Sequence, residues 1–446
     1  MKNNELVTSN VWSLFLKYLF PSVSATLFVS IYVITDTMMI GHGVGNEGLV
    51  ALNILLPVFS VLFSVGYLLG VGGSVLMSVA KGAGDAKRAN SIFTTCVIVD
   101  LCIGAAAALC MSVFAKNICY FLGANDGNIV ITMEYARILF GFAFLFTLSP
   151  LLQNFVKNDN APTISMLASV AGSLLNVVLD YIFIFKYGWG MKGAILATVI
   201  GSFTNSSICM THFLTKKNTM KFKASLVELR HLIKVTKNGS ASALTEISNA
   251  VVVFVFNIQI IRYIGNEGVV IYSILSNSMI VVNAILNGVS ASSQPVVSYN
   301  YGAEKFDRIK KLKRICLATS IIVAGCLMVF VFTKADICVK AFVSDYYGIM
   351  DKGKSAIKIY MSGLIVMALN LFYSNYYQSV LLGERSFLIG ILRGLILCTL
   401  FAFIFPAVWG GGSMWYVMPA TEIVTLFIWI VAFSIEKKRP IGIIDR

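Results

Sequence analysis

A helix needs about 20 consecutive apolar residues to cross the hydrocarbon core of a bilayer, and this chain carries twelve such runs. They read as 14–39, 49–80, 91–115, 132–156, 163–185, 191–214, 233–261, 269–299, 315–332, 356–382, 387–408 and 415–435. The connections between them are short, and none is large enough to form an extramembrane domain. Only 13% of the 446 residues are charged, about half the roughly 25% of soluble domains. Composition therefore excludes a soluble enzyme, a collagen, a disordered chain and a disulfide scaffold. The first run passes through Pro21 to Met39 without an A-x-A-like site, so it reads as a span and not as a cleavable signal. Nine cysteines form no CxxC pair, and seven of them fall within apolar runs, where each reads as a small hydrophobe.

The net charge of +14 would suggest nucleic acid in a soluble protein. Here the basic residues lie between apolar runs, where they orient helices, and no nucleic-acid partner is expected. With twelve spans both termini share a side. Twenty-five of the 35 Lys and Arg fall on that side, including Lys81, Lys87, Arg88, the 216–237 stretch, the 305–314 stretch and Lys437, Lys438, Arg439 and Arg446. Lys2 joins them, and the other ten lie opposite. Positive charge favours the cytoplasm. The expectation is a multi-pass protein of the cell (inner) membrane with both termini cytoplasmic.

The segment Gly45-Asn46-Glu47-Gly48 recurs as Gly265-Asn266-Glu267-Gly268, and between 45 and 90 twelve of 46 positions are identical at an offset of 220. A second echo pairs Phe114 to Cys119 with Phe332 to Cys338. The chain thus reads as an N-terminal six-helix lobe (1–214), a basic linker (215–235) and a C-terminal six-helix lobe (236–446). Parallel repeats place a pseudo-two-fold axis along the membrane normal and a working cavity between the halves. The expected fold is an all-α membrane protein of twelve transmembrane helices in two pseudo-symmetric lobes.

Ionisable groups inside spans cost about 2.5–3.5 kcal/mol each on insertion scales and usually face a cavity. Asp36, Asp100, Asp180 and Glu246 lie deep, with Arg393 and Glu422 nearer helix ends. Tyr32 and Asp36 are four residues apart, as are Asn176 and Asp180, and Ala194 and Thr198; each pair shares a helix face. Three such faces could converge on an oxygen-rich site for Na⁺, which wants hard oxygen ligands. Equally, two close carboxylates could share a proton. The plainer alternative is that Asn176 and Asp180 only join helices by hydrogen bonds. Asp100 reads as a protonated or helix-paired carboxyl, Arg393 as a snorkelling cation, and Glu422 as facing Thr421 or water.

Pro21 and Asp36, Gly82-Ala-Gly-Asp85, Gln153-Asn-Phe, Asn158-Asp-Asn, and Asn176 to Asp180 followed by Ala194 to Thr198 occur in this order. This succession resembles the multidrug and toxic compound extrusion (MATE) family over essentially the whole chain. The resemblance implies a MATE-like fold and a cation site built from Asp36, Asn176, Asp180, Ala194 (through its carbonyl) and Thr198, with Tyr32 nearby. It also implies that Pro21 lets the first helix bend. Glu246 is similar to an acid that some branches use in a second site with an Asp in the tenth helix; here Asn375 stands about where that Asp would fall.

The resemblance further implies a secondary antiporter. It would export cationic, amphipathic drugs or toxins in exchange for inward Na⁺ or H⁺, with no cofactor beyond the coupling ion. The remaining expected partners are membrane lipid and the small lipophilic cations themselves, with the chain working as a monomer. The rival of related architecture, a flippase for lipid-linked saccharides, would need deep basic residues for a pyrophosphate. A major-facilitator transporter would show G-x-x-x-D-R-x-G-R in its second loop, where this chain has Lys81-Gly-Ala-Gly-Asp85-Ala-Lys-Arg88. A membrane enzyme would show HExxH or GxSxG.

Overall fold

The computed structural model describes residues 5–340 and 349–435, and among these every regular element is a helix. The basic residues Lys2, Lys437, Lys438, Arg439 and Arg446, assigned by charge to the cytoplasmic side, lie outside the described residues. Ten helices are long and apolar enough to cross a membrane, or twelve when each of two bent pairs is one span. In chain order they are α1 (Val11–Gly43), α2 (Asn46–Gly82), α3 (Ala86–Val113), α4 (Ile129–Gly141 with Ala143–Asn158), α5 (Pro162–Lys186) and α6 (Gly190–Leu214). The second set is α7 (Arg230–Tyr263), α8 (Asn266–Gly302), α9 (Phe306–Thr333), α10 (Met350–Tyr360 with Leu364–Ser379), α11 (Gly383–Trp409) and α12 (Gly411–Ser434). Lipid offers no partner for backbone N–H and C=O groups, so apolar runs of this length must close their own hydrogen bonds as helices. Polar caps sit where the chain leaves that environment. Asn10 Oδ1 accepts from Trp12 N–H at 2.9 Å, and Asp85 Oδ1 from Arg88 N–H at 2.9 Å.

The internal repeat reappears as geometry. Gly45 and Gly265 both take left-handed backbone, φ 91° and 84°, which glycine alone adopts without strain. Their N–H groups donate to Ile40 O and Ile260 O, at 3.2 and 3.0 Å. Both bent spans break beside a glycine, α4 by 52° after Gly141 and α10 by 42° at Gly363. α5 and α11 each carry a π-helical turn, Tyr181–Lys186 and Leu392–Ile396. Turns of that kind are rare and concentrate at functional positions.

Each lobe keeps its own apolar cluster at the end away from Lys81 and Arg308. One surrounds Ile40, Leu55, Leu139 and Ile195, the other Ile260, Leu275, Met361 and Met414. At the basic end apolar clusters are shared: in one, Phe15, Tyr18 and Val79 of the first lobe pack with Val296, Tyr299, Leu312 and Phe372 of the second. Glycines permit that approach. A Cβ on Gly239 of α7 would stand 2.0 Å from Leu68 O of α2, and one on Gly72 would stand 2.2 Å from Val235 O. The Thr26 hydroxyl adds a bond across the lobes to Ala284 O at 2.7 Å. The short helix Glu5–Thr8 is held by the second lobe, with Asn300 Nδ2 donating to Leu6 O and Arg308 Nη2 to Ser9 O, at 3.0 and 2.7 Å. The lobes therefore meet at the basic end and keep separate cores at the other.

Candidate cation site in the first lobe

Asp180 is the last α-helical residue of α5 before its π turn. A π turn inserts one residue, which rotates the remainder of the helix by about 100° relative to a continuous one. Asn176 and Asp180 thus share the register that precedes the shift. Asp36 of α1 meets them: its carboxyl group lies beside that of Asp180, close enough for the two to interact. Both are buried, and Oδ1 of each has no hydrogen-bond partner. The Asn176 amide, oriented so that both its ends find partners, donates to Asp180 Oδ2 at 3.1 Å and accepts from Thr198 N–H at 3.2 Å. The Thr198 hydroxyl donates to Ala194 O at 3.1 Å. Tyr32, half-buried one turn before Asp36, lies close enough to feel both carboxyls.

Sequence spacing missed one member of this group. Tyr135 of α4 is buried, lies beside the Thr198 side chain, and packs edge-on against Phe59 with ring centroids 6.2 Å apart. A single Tyr in an apolar run carries no periodic signal, so its role emerges only from the packing of α4 against α6. Pro21 lies elsewhere: α1 runs unbroken through it, and fifteen residues of helix separate it from Asp36 by about 22 Å.

The polar groups gathered here are two carboxyls, an amide, a hydroxyl and a backbone carbonyl. Among the described residues no group of three or more His, Cys, Asp or Glu is placed to hold a metal ion. Two orphaned carboxyl oxygens in a dry setting suit one small positive charge, Na⁺ or a proton.

The other ionisable groups are distributed differently. Glu246 is half-buried on α7 near Tyr67 of α2, at the lobe boundary, with no hydrogen-bond partner among the described residues. Asn375 does not join it, because its amide donates to Leu371 O of its own helix at 3.0 Å. Asp100 accepts from the Thr147 hydroxyl of α4 at 3.1 Å, a helix-pairing contact. Arg393 and Glu422 depart from the sequence expectation. Arg393 does not snorkel: its Nε stands 2.5 Å from Glu422 Oε1, and Glu422 is buried, facing neither Thr421 nor water. Asn370 Nδ2 donates to Glu422 Oε2 at 2.7 Å, and Trp429 Nε1 donates to Asn370 Oδ1 at 2.8 Å.

At the basic end of the first lobe a second buried cluster surrounds Asp159, in the turn between α4 and α5. Its carboxylate takes an ion pair from Lys81, a bond from His212 Nε2 at 2.8 Å, and bonds from the Thr219 hydroxyl and N–H, the latter at 2.9 Å. Burial alone would raise this carboxyl; the His212 bond and the Lys81 charge outweigh it and hold it below the ordinary 3.8.

The MatE family model matches residues 21–182 and again 241–404. A multidrug export protein, MepA, of Staphylococcus saprophyticus is 25% identical over 445 residues, covering 98% of each chain. MepA of Staphylococcus aureus is 24% identical over 444 residues, again covering 98% of each. Among solved structures, an outward-facing multidrug resistance MATE family transporter of the MOP superfamily superposes with a TM-score of 0.90 at 21% identity, covering 98% of both chains. A MATE protein in a bent conformation gives 0.87 at 22% identity, covering 98% of this chain and 97% of that one.

Proposed function

The chain belongs to the MatE family of multidrug and toxic compound extrusion proteins, which makes it a multi-pass membrane transporter and not an enzyme; on that basis we propose that it exports cationic, amphipathic compounds in exchange for inward Na⁺ or H⁺. The observation that carries this reading is the buried, adjacent Asp36–Asp180 pair with an unpartnered oxygen on each carboxyl. Such a pair takes up one positive charge reversibly, and its occupancy changes how α1 packs on α5 and α6. The multidrug export role of the staphylococcal relatives supports the drug-like substrate class.

In this reading Asp36, Asn176, Asp180, Ala194 and Thr198 hold the coupling ion, Tyr32 borders the site, and Tyr135 fixes Thr198. Pro21 removes one backbone bond from α1, giving the helix a place to bend as occupancy changes. Glu246, at the lobe boundary, attracts the substrate cation. Coupling arises because ion and substrate prefer different lobe arrangements. The excess of basic residues on one side assigns that side to the cytoplasm, so the arrangement with lobes joined at the basic end faces outward in the cell membrane. Each inward charge then gains about 2.3 kcal/mol per 100 mV of membrane potential. One chain contains both lobes and the site, and it works as a monomer. The flippase alternative would need a free deep cation, whereas Arg393 is held by Glu422.

Dye efflux from proteoliposomes with an imposed Na⁺ gradient, and separately an imposed pH gradient, tests the proposal. One of the two must accelerate export of a lipophilic cation; acceleration by neither removes the antiport mechanism.

A further inference from the structure

The fifth and sixth helices of the two lobes are joined by different chemistry at the same place. α5 and α11 begin 221 residues apart, at Pro162 and Gly383, and so do α6 and α12, at Gly190 and Gly411. At that offset Gly172 and Gly201 of the first lobe correspond to Arg393 and Glu422 of the second. The two glycines meet backbone to backbone: a Cβ on Gly172 would stand 2.7 Å from Gly201 O, and one on Gly201 would stand 2.8 Å from Gly172 O. Their counterparts meet as an ion pair. Arg393 Nε stands 2.5 Å from Glu422 Oε1, and Asn370 of α10 occupies Oε2 at 2.7 Å.

Asn176 and Asp180 follow Gly172 by one and two helical turns. At the offset of 221 Asn176, Asp180 and Thr198 correspond to Leu397, Phe401 and Pro419. Asp36, at the offset of 220 that relates α1 to α7, corresponds to Phe256, a buried ring stacked on Tyr272 with centroids 5.2 Å apart. The oxygen groups of the first-lobe site thus have apolar counterparts. Among the described residues Glu422 is the one buried carboxyl of the second lobe, Glu246 being half-buried at the lobe boundary.

A carboxylate inside a lobe has to be compensated by a proton, a bound ion or a fixed cation. The unpartnered oxygens of Asp36 and Asp180 leave the first choice or the second open. Both oxygens of Glu422 are taken, and a guanidinium neither loses its proton nor leaves the chain. The charge inside the second lobe therefore stays constant in every state of the molecule.

We propose that Arg393 is a built-in counter-cation that closes the second lobe to the coupling ion, so that each export cycle takes up a single positive charge, in the first lobe. This rests on the antiport reading and deepens it by fixing its stoichiometry. Removing the Arg393 charge alone leaves Glu422 to recruit an ion from the medium, which gives the second lobe an exchangeable site. Removing both groups leaves no such site.

The test is the null point of ethidium flux in proteoliposomes, with the membrane potential clamped at zero by potassium and valinomycin. The dye ratio at which net flux vanishes is plotted on logarithmic axes against the imposed ratio of the ion, Na⁺ or H⁺, that drives export. Wild type should give unit slope. Arg393→Met/Glu422→Leu should also give unit slope, with ion-driven export kept. Arg393→Gln should raise the slope about twofold, because an ion then enters each lobe. If Arg393→Gln does not fold, the wild-type slope and the double variant decide. A slope of about two in wild type overturns the proposal while leaving antiport in place. So does a folded Arg393→Gln that keeps unit slope, or loss of export by an inserted, folded double variant. Flux that responds to neither ion gradient is a separate failure, which removes antiport itself and this assignment with it.

Discussion

Gly82 of α2 and Gly302 of α8, 220 positions apart, are seated reciprocally across the lobes: a Cβ on Gly82 would stand 2.0 Å from Tyr299 O, and one on Gly302 would stand 2.0 Å from Val79 O. Val79 and Tyr299 are themselves 220 apart, so the contact is one motif used twice about a pseudo-two-fold axis. The first lobe supplies a glycine and a carbonyl, and the second returns the same pair. Backbone meets backbone there, so no rotamer change can relieve an added methyl.

That geometry predicts the effect of Gly302→Ala. Overpacking of this kind costs about 1–3 kcal/mol, charged entirely to the arrangement in which the lobes touch. Hydrogen exchange in 76–82 and 296–302 should accelerate several-fold in the variant while exchange at the far end of each lobe stays unchanged. Unaltered exchange in both segments would show that the contact does not hold the lobes together.

Asp159 gives a pH prediction. Its carboxyl titrates below the ordinary 3.8 in the folded chain, so it contributes stability that is complete above that value and is lost as pH falls through the depressed one. Melting of the purified protein should therefore be insensitive to this group from pH 8 to 5 and should weaken only below about 4. Asp159→Asn leaves the Lys81 ammonium buried without its partner, at a cost of about 3–5 kcal/mol. A melting temperature equal to wild type at pH 7 would contradict the assignment.

Arg393 and Glu422 form the corresponding device within the second lobe. Glu422→Gln strands a half-buried guanidinium and should destabilise the protein by about 3 kcal/mol. Replacing both, Arg393→Met with Glu422→Leu, should recover most of that loss. Thermal unfolding of the single and double variants checks it; additive losses would show that the two groups are not a pair.

Tyr135→Phe removes the hydroxyl beside Thr198, and with it at most one hydrogen bond. A typical bond contributes about 1 kcal/mol, so apparent affinity for the coupling ion should fall roughly fivefold with maximal transport nearly unchanged. A large drop in maximal rate at unchanged ion affinity would place Tyr135 in a different role.

How much of this could be read from residues alone depends on range. Helices, their number and the repeat are local signals: apolar runs announce spans, and Gly-Asn-Glu-Gly at two places announces the same left-handed turn. The i,i+4 pairs Asn176–Asp180 and Ala194–Thr198 are also local, and the structure brings those faces to Asp36. What spacing does not encode is the register between distant helices. Arg393 and Glu422 are 29 residues apart on a hairpin whose register depends on a π turn and a 3₁₀ turn, Gly411–Tyr416, so nothing linear pairs them. Tyr135 reaches Thr198 from α4, whose 52° bend has no stronger mark than a single glycine. Asp159 draws its partners from the ends of α2 and α6 and from the linker, three segments far apart in the chain.

In the antiport proposed above, coupling of ion entry to export rests on the Asp36–Asp180 pair. The decisive experiment is ion-gradient-driven dye export by reconstituted Asp36→Asn, measured at matched membrane insertion. Export should collapse to the level of protein-free liposomes while the protein still inserts and folds; export at the wild-type rate, or an Asp36→Asn/Asp180→Asn double variant that transports normally, would contradict that role.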